Sequence, residues 1–387
     1  MIRKSLLGIS VLTIANLAVQ AQSQPIGRDT SIAYAMPVVS QMPTGSVLLT
    51  WVEKDSKGVG SFCMAQSADG GKTFSDRRVV VSGAGISGSR LMRPKVMTKK
   101  DGSLVAVFAK GGNENGKRTN DIMMTRSADK GVTWSTPQKV DSDPTPCVRG
   151  FYDAVVLPND EVAVAYLKDV AGSTKHEERN LRLVLTKNGQ LQPERIIDPV
   201  VCDCCNISML VDANGALNVI YRDNNDDIRD MAKMTSTDNG LTFSKPQIIH
   251  TDNWKIAGCP HSGAFMTNYG KGMLVTWFSG SDQEKGIRLL GPNGKRLALA
   301  NDPSARNGNV AAQGNKALFV WEQNRGEVSQ IGYRVLNGET LSETNWLPES
   351  LSGTNASTLV LGNQALVVYE VRNANKKNGL KWSTVSL

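Results

Sequence analysis

Short apolar runs recur along this chain, each broken by glycine, asparagine or aspartate, and no long stretch keeps the period of an amphipathic helix. Seven runs share one form. They occupy residues 47–51, 104–108, 162–166, 217–221, 273–277, 317–321 and 365–369, and close on Trp51, Phe108, Tyr166, Tyr221, Trp277, Trp321 and Tyr369. Each predicts the second strand of a repeated unit, with its aromatic side chain packed between units. An inner strand and a tight turn precede it each time. The pattern predicts an all-β repeat protein.

The turns repeat as well. Ser127, Asp129, Gly131, Thr133 and Trp134 fit the pattern Ser-x-Asp-x-Gly-x-Thr-aromatic, as do Ser67 to Phe74 and Ser236 to Phe243. Such a stretch predicts a stiff hairpin turn. The aspartate accepts bonds from turn amides, the glycine supplies positive φ, and the threonine and aromatic begin the returning strand. Asp69 and Asp129 lie about 60 residues apart and Asp129 and Asp238 about 109, roughly two periods, so a worn copy is expected between them. Asn188-Gly189 sits at that place, and Asn293-Gly294 and Asn337-Gly338 continue the series.

These motifs resemble the Asp-box, or BNR repeat, of the sialidase superfamily. The resemblance implies a β-propeller whose Asp-boxes lie between the outer strands of each blade, away from the ligand face. It also implies six four-stranded blades, whereas the second strands count seven, and a ring closed by pairing an N-terminal strand with the last unit accommodates either. The count favours seven. Closure removes the sheet edges that invite aggregation.

The 387 residues contain no linker, and a ring of repeats explains how so long a chain needs none, because each unit packs only on its neighbours. Arg3 and Lys4 precede an apolar run from Leu6 to Ala18, and Ala21 ends a small-residue site. Residues 1–21 therefore read as a secretory signal, and 22–387 as one propeller domain, exported to the periplasm or outside the cell and free of the membrane after cleavage. The formal charge of +8 is spread without basic runs interleaved with aromatics, which argues against nucleic acid and is compatible with an anionic small ligand.

In a propeller the inner strands begin, and the second strands end, at one face around the axis, so that face is where ligand groups converge. Arg93, Arg149, Asp153 and Arg306 fall there. Sialidases grip a substrate carboxylate with three arginines and use a tyrosine nucleophile with an aspartic acid–base. The resemblance thus makes the three arginines candidates for that grip, Asp153 for the acid, and Tyr221, Tyr333 or Tyr369 for the nucleophile. The competing reading is ordinary rim salt bridges. The first arginine of the family's Phe-Arg-Ile-Pro stretch is replaced here: Tyr34-Ala35-Met36-Pro37 keeps the proline and has Ala35, which cannot pair with a carboxylate.

Cysteine usage suggests other chemistry. Cys202, Cys204 and Cys205 stand within four residues, and Cys259 and His261 start the next unit. One reading is disulfides, Cys147 with Cys202 or Cys204 and Cys205 with Cys259, as suits an exported protein. The other is copper or zinc held by Cys202, Cys204, Cys205, Cys259 and His261. His176, His250, Asp226-Asp227 and Glu177-Glu178 read as solvated loop residues. Three functions follow: a sialidase-like propeller acting on or binding a glycan or other small polar ligand, a copper or zinc metalloprotein, or a non-catalytic binding or assembly propeller.

Overall fold

The computed structural model describes residues 26–27, 29–170 and 179–387. The proposed signal and His176, Glu177 and Glu178 lie outside the described residues. Seven antiparallel sheets are arranged as blades around one axis, and the described residues contain no helix. The count of seven second strands is therefore met, and the six blades implied by the resemblance are corrected.

From blade 1 to blade 7 the inner strands are Ala33–Gln41, Lys95–Thr98, Arg149–Val156, Ser208–Val211, Ala264–Tyr269, Arg306–Gln313 and Gly353–Leu361. Their partners are Val47–Lys54, Leu104–Glu114, Val162–Asp169, Leu217–Arg222, Gly272–Gly280, Lys316–Arg325 and Gln364–Arg372. In blades 3 and 6 two short pieces share the outermost position, both pairing the same third strand. Blade 7 has three strands. Its outer strand, Asn378–Ser386, is approached by the N-terminal segment at Gly27, where φ is +79° and an added Cβ would lie 2.8 Å from the Leu380 carbonyl oxygen. Only glycine fits there.

Seven apolar clusters fill the joints between neighbouring blades, and each closing aromatic lies in one of them. Trp51 packs between blades 7 and 1 and Phe108 between 1 and 2. Tyr166 and Tyr221 fill the next two joints, and Trp277, Trp321 and Tyr369 the last three. All seven side chains are essentially fully buried. Burying an aromatic of this size stabilises by about 1.5–3 kcal/mol. The core of this protein is thus divided into wedges.

In four blades the inner strand bulges opposite its aromatic. Register shifts fall between Ala35 and Val38, between Arg306 and Asn309 and between Thr354 and Ser357, with left-handed Met36, Asn307 and Asn355 at the bulges. Blade 3 repeats this with Phe151. A bulge re-aims side chains at a strand's end, here at the axial face.

The Asp-boxes cap the far ends of the third strands. Ser127 Oγ donates to Asp129 Oδ1 (2.8 Å) and accepts from the Gly131 amide (2.8 Å), while Asp129 accepts from the Thr133 amide (2.9 Å) and hydroxyl (2.6 Å). The other two boxes repeat the same bonds. Gly131, with φ of +85°, sits against Met64 of blade 1, where a Cβ would meet its sulfur at 2.8 Å. The box therefore also sets blade-to-blade spacing. The worn turns at Asn188-Gly189, Asn293-Gly294 and Asn337-Gly338 occupy the equivalent place between third and fourth strands.

Candidate functional site

All seven inner strands, or the residues leading into them, line one cavity of about 240 Å³, which places it on the axis. Val39, Arg93, Asp153, Met209, Phe265, Val310 and Thr358 represent the seven blades in its wall. Its polar groups include Lys95, Asn206, Ser208, Asn309 and Ser357.

Arg93 precedes the inner strand of blade 2, and its guanidinium lies over the Phe265 ring, 5.2 Å from the centroid. Its Nε is buried without a hydrogen-bond partner among the described residues. Burial pushes the Arg93 guanidinium below its usual range, opposed by the nearby Glu370 and Glu322 carboxylates. An unpaired guanidinium facing a cavity is poised for an anionic oxygen, because a buried donor without an acceptor is costly.

Asp153 also lines the cavity, but its carboxylate is engaged. Lys95 Nζ donates to it at 2.8 Å and the Met209 amide at 2.7 Å. Arg149 is fully buried and forms ion pairs with Asp141 and Asp121, and its Nη2 donates to the Asp143 carbonyl at 2.8 Å. Arg306 stands half exposed with Nε 3.1 Å from Glu322. The three arginines thus occupy three settings, and Arg93 alone lines the cavity. Ala35 lines a separate depression with Lys54, Arg372 and Lys376.

Two of the candidate tyrosines are joint residues. Tyr221 donates to Asp198 at 2.5 Å, and burial together with that carboxylate pushes its phenol up. Tyr369 is likewise buried between blades. Tyr333 lies on the third strand of blade 6, Val328–Asn337. His250 is not a freely solvated side chain: it lies 3.1 Å from Asp252 and packs on Trp277.

The cysteines come together where blades 3, 4 and 5 connect. The segments 202–207 and 255–263 are equivalent links, each leading into the next inner strand. The sulfurs of Cys202, Cys204 and Cys205 lie 3.7–4.0 Å apart, and all three are buried. Cys259 and His261 are exposed and group with Cys204, their donor atoms within 4.8 Å of one another. All five residues singled out in the sequence therefore meet, whereas Cys147 and Cys63 belong to neither group. All six cysteines are free thiols, so neither expected disulfide is formed.

Charge is distributed unevenly in this cluster. Hydrogen bonding to Cys202 and Cys205, then burial, pushes Cys204 up. Burial alone would raise Cys205 too, but its two sulfur neighbours, Arg222 and the Ser262 amide at 3.4 Å bring it well below the usual thiol range. Arg222 itself is fixed by the Ser262 carbonyl at 2.8 Å and by stacking on Trp254.

The BNR repeat-like domain matches residues 20–328. The chain belongs to that family. Among solved structures it is similar to a Dyadobacter fermentans protein of unknown function, at 14% identity and TM-score 0.56, over 94% of this chain and 97% of that one. A Hadza microbial sialidase matches at 15% identity and TM-score 0.53, over 92% of this chain and 66% of that one. The leech intramolecular trans-sialidase, complexed with 2,7-anhydro-Neu5Ac, matches at 11% identity and TM-score 0.51, over 95% and 70%. At these identities the likeness is one of fold. No curated protein matches.

Nothing in the sequence marked the cavity's centre. Arg93 was one of several arginines at strand starts, and Phe265, which supports it, carries no motif. What could have separated Arg93 from Arg149 is context. Arg149 follows Asp141 and Asp143 closely, whereas Arg93 has no acidic residue within ten positions on its N-terminal side.

Proposed function

We propose that this is an exported propeller with the sialidase fold that binds a small anionic glycan or similar polar ligand in its axial cavity, and does not hydrolyse it. The observation that carries this reading is the Arg93 guanidinium, stacked on Phe265 and lacking a polar partner, at the wall of a cavity to which every blade contributes. A carboxylate would satisfy it, and Asn206, Ser208 and Asn309 offer further polar contacts to hydroxyl or amide groups. The glycan ligand class is supported by the sialidases among the structures of like fold.

Hydrolysis is disfavoured by the setting of the other groups. Arg149 is neutralised by its own aspartates, and Asp153 is tied to Lys95 and a backbone amide. Calorimetric titration with N-acetylneuraminate, glucuronate and uncharged N-acetylglucosamine tests the reading. Saturable binding of either acid but not of the neutral sugar, weakened at least about tenfold by Arg93→Ala, is expected. Binding indifferent to that substitution, or sialoside turnover abolished by Arg149→Ala or Arg306→Ala, would overturn it. Export through residues 1–21 is checked by the N-terminus of the mature protein, expected at Gln22.

A further inference from the structure

The axial cavity leaves the cysteine cluster unused, since no cysteine lines it. Three features of that cluster point to a ligand. The sulfurs of Cys202, Cys204 and Cys205 form a nearly equilateral triangle with sides of 3.8, 3.7 and 4.0 Å. The centre of such a triangle is about 2.2 Å from each corner, close to the metal–sulfur bond length of about 2.3 Å. Three donors around one coplanar point make a trigonal site. Zinc in a structural site takes four donors in a tetrahedron, whereas a soft monovalent ion is content with three thiolates.

The second feature is the shared corner. Cys204 also groups with Cys259 and His261, which are exposed, so the buried triangle has an outer pair of donors joined to it through one sulfur. The His261 Nδ1 is 2.9 Å from the Cys259 carbonyl. A carbonyl only accepts, so Nδ1 carries the proton and Nε2 keeps its lone pair for a metal. Third, the surroundings compensate negative charge. The Ser262 amide donates to the Cys205 sulfur, and Arg222 stands behind that link.

Oxidation of the same thiols to disulfides is the competing use. Adjacent Cys204 and Cys205 have Cα atoms about 3.8 Å apart, short of the range a disulfide spans without strain. A Cys202–Cys205 pair would leave Cys204 to bond Cys259, which lies in the same outer group, and would leave His261 without a role. Ligation uses every member of the cluster.

We infer that Cys202, Cys204 and Cys205 form a buried Cu(I) site, reached through Cys259 and His261. An arriving Cu(I) ion binds Cys204, Cys259 and His261 at the surface. It then exchanges its bonds to Cys259 and His261 for bonds to Cys202 and Cys205, while the bond to Cys204 persists. Cys204 and Cys259 release their thiol protons to solvent on binding, Cys202 and Cys205 release theirs as the ion moves inward, Cys259 takes a proton back when it lets go, and copper stays monovalent throughout.

The test uses the full mature chain without a histidine tag, reduced and kept anaerobic, and titrated with Cu(I) against the chromophoric chelator bicinchoninate. The expected result is one equivalent withdrawn from the chelator, with a near-ultraviolet thiolate-to-copper absorption band. Cys205→Ser should lose that equivalent. His261→Ala and Cys259→Ser alter exposed residues and so leave folding intact, and each should slow uptake while the final stoichiometry stays at one. Three results would overturn the proposal: no copper withdrawn by the wild-type chain, the full equivalent retained by Cys205→Ser, or uptake rates unchanged in both exposed variants. Zinc bound at the triangle in preference to Cu(I) would overturn the assignment of the ion. None of these readings depends on ligand binding at Arg93, so the two proposals fail separately.

Discussion

Glu370, on the second strand of the last blade, accepts a hydrogen bond of 2.8 Å from the backbone amide of Met36, on the first strand of the first blade. The same joint recurs one blade earlier, where Glu322 accepts from the amide of Asn355 at 3.0 Å. In both, the amide belongs to the left-handed residue of an inner-strand bulge. The ring is thus closed between residues far apart in sequence with a joint it also uses between near neighbours. Glu370→Ala would leave that amide buried and unpaired, at a cost of about 1–3 kcal/mol. Denaturant unfolding should show this loss, and a change under about half a kcal/mol would contradict the closure described.

Two sets of carboxylates should give opposite dependences on pH. Burial raises the pKa of Glu370 and Glu322, only partly offset by the hydrogen bonds they accept. Their charged forms therefore oppose folding, and stability is lost as pH rises from the ordinary glutamate range toward neutrality. The Tm of Glu370→Gln, measured relative to wild type, should rise between about pH 4 and pH 7. The Asp-box aspartates behave in the reverse sense. Hydrogen bonds from Thr133 and Thr242 hold Asp129 and Asp238 down to about 2. Their contribution is present above the ordinary aspartate range and is lost as pH falls toward 2. Carboxyl resonances of both titrating near 4 would contradict the hydrogen bonding assigned to the boxes.

Arg149 should prove to be a structural residue. Replacing it with methionine leaves Asp141 buried without its cation and should destabilise the fold by about 3–5 kcal/mol. Unfolding by urea measures this. A stable Arg149→Met protein that had lost ligand binding would instead place Arg149 in the site.

Arg93 should behave in the opposite way. Arg93→Ala removes a cation that has no hydrogen-bonding partner among the described residues, so its Tm should equal or exceed that of wild type while acid binding is lost. A marked fall in Tm would mean that Arg93 holds the hub together.

The aromatic wedges should each be worth several kcal/mol. Trp277→Ala opens a cavity between blades 4 and 5 and removes the indole Nε1 that donates to Asp252 at 2.7 Å, so a loss of about 3–5 kcal/mol is expected. A drop below about 1 kcal/mol by calorimetry would contradict the wedge description.

The seven aromatics were legible in the sequence because each ends an apolar run that local physics alone makes a strand. The Asp-boxes were legible because their hydrogen bonds run between residues four apart or fewer. The meeting of Cys202, Cys204 and Cys205 with Cys259 and His261 followed from counting inner-strand starts. The family resemblance implied six blades, whereas the seven apolar second strands, one to a blade, gave the number of sheets. Arg93 and Arg149 looked alike because both stand at inner-strand starts, although Asp141 and Asp143 shortly before Arg149 hinted at its partners. Phe265 reaches Arg93 only through the fold, so no spacing along the chain marks the ring that supports that arginine.

A crystal structure of the protein soaked with N-acetylneuraminate or glucuronate tests ligand binding at Arg93 most directly. The ligand is expected in the axial cavity with its carboxylate on the Arg93 guanidinium. A ligand held instead in the Ala35 depression, or on Arg306 with Arg93 untouched, would contradict it.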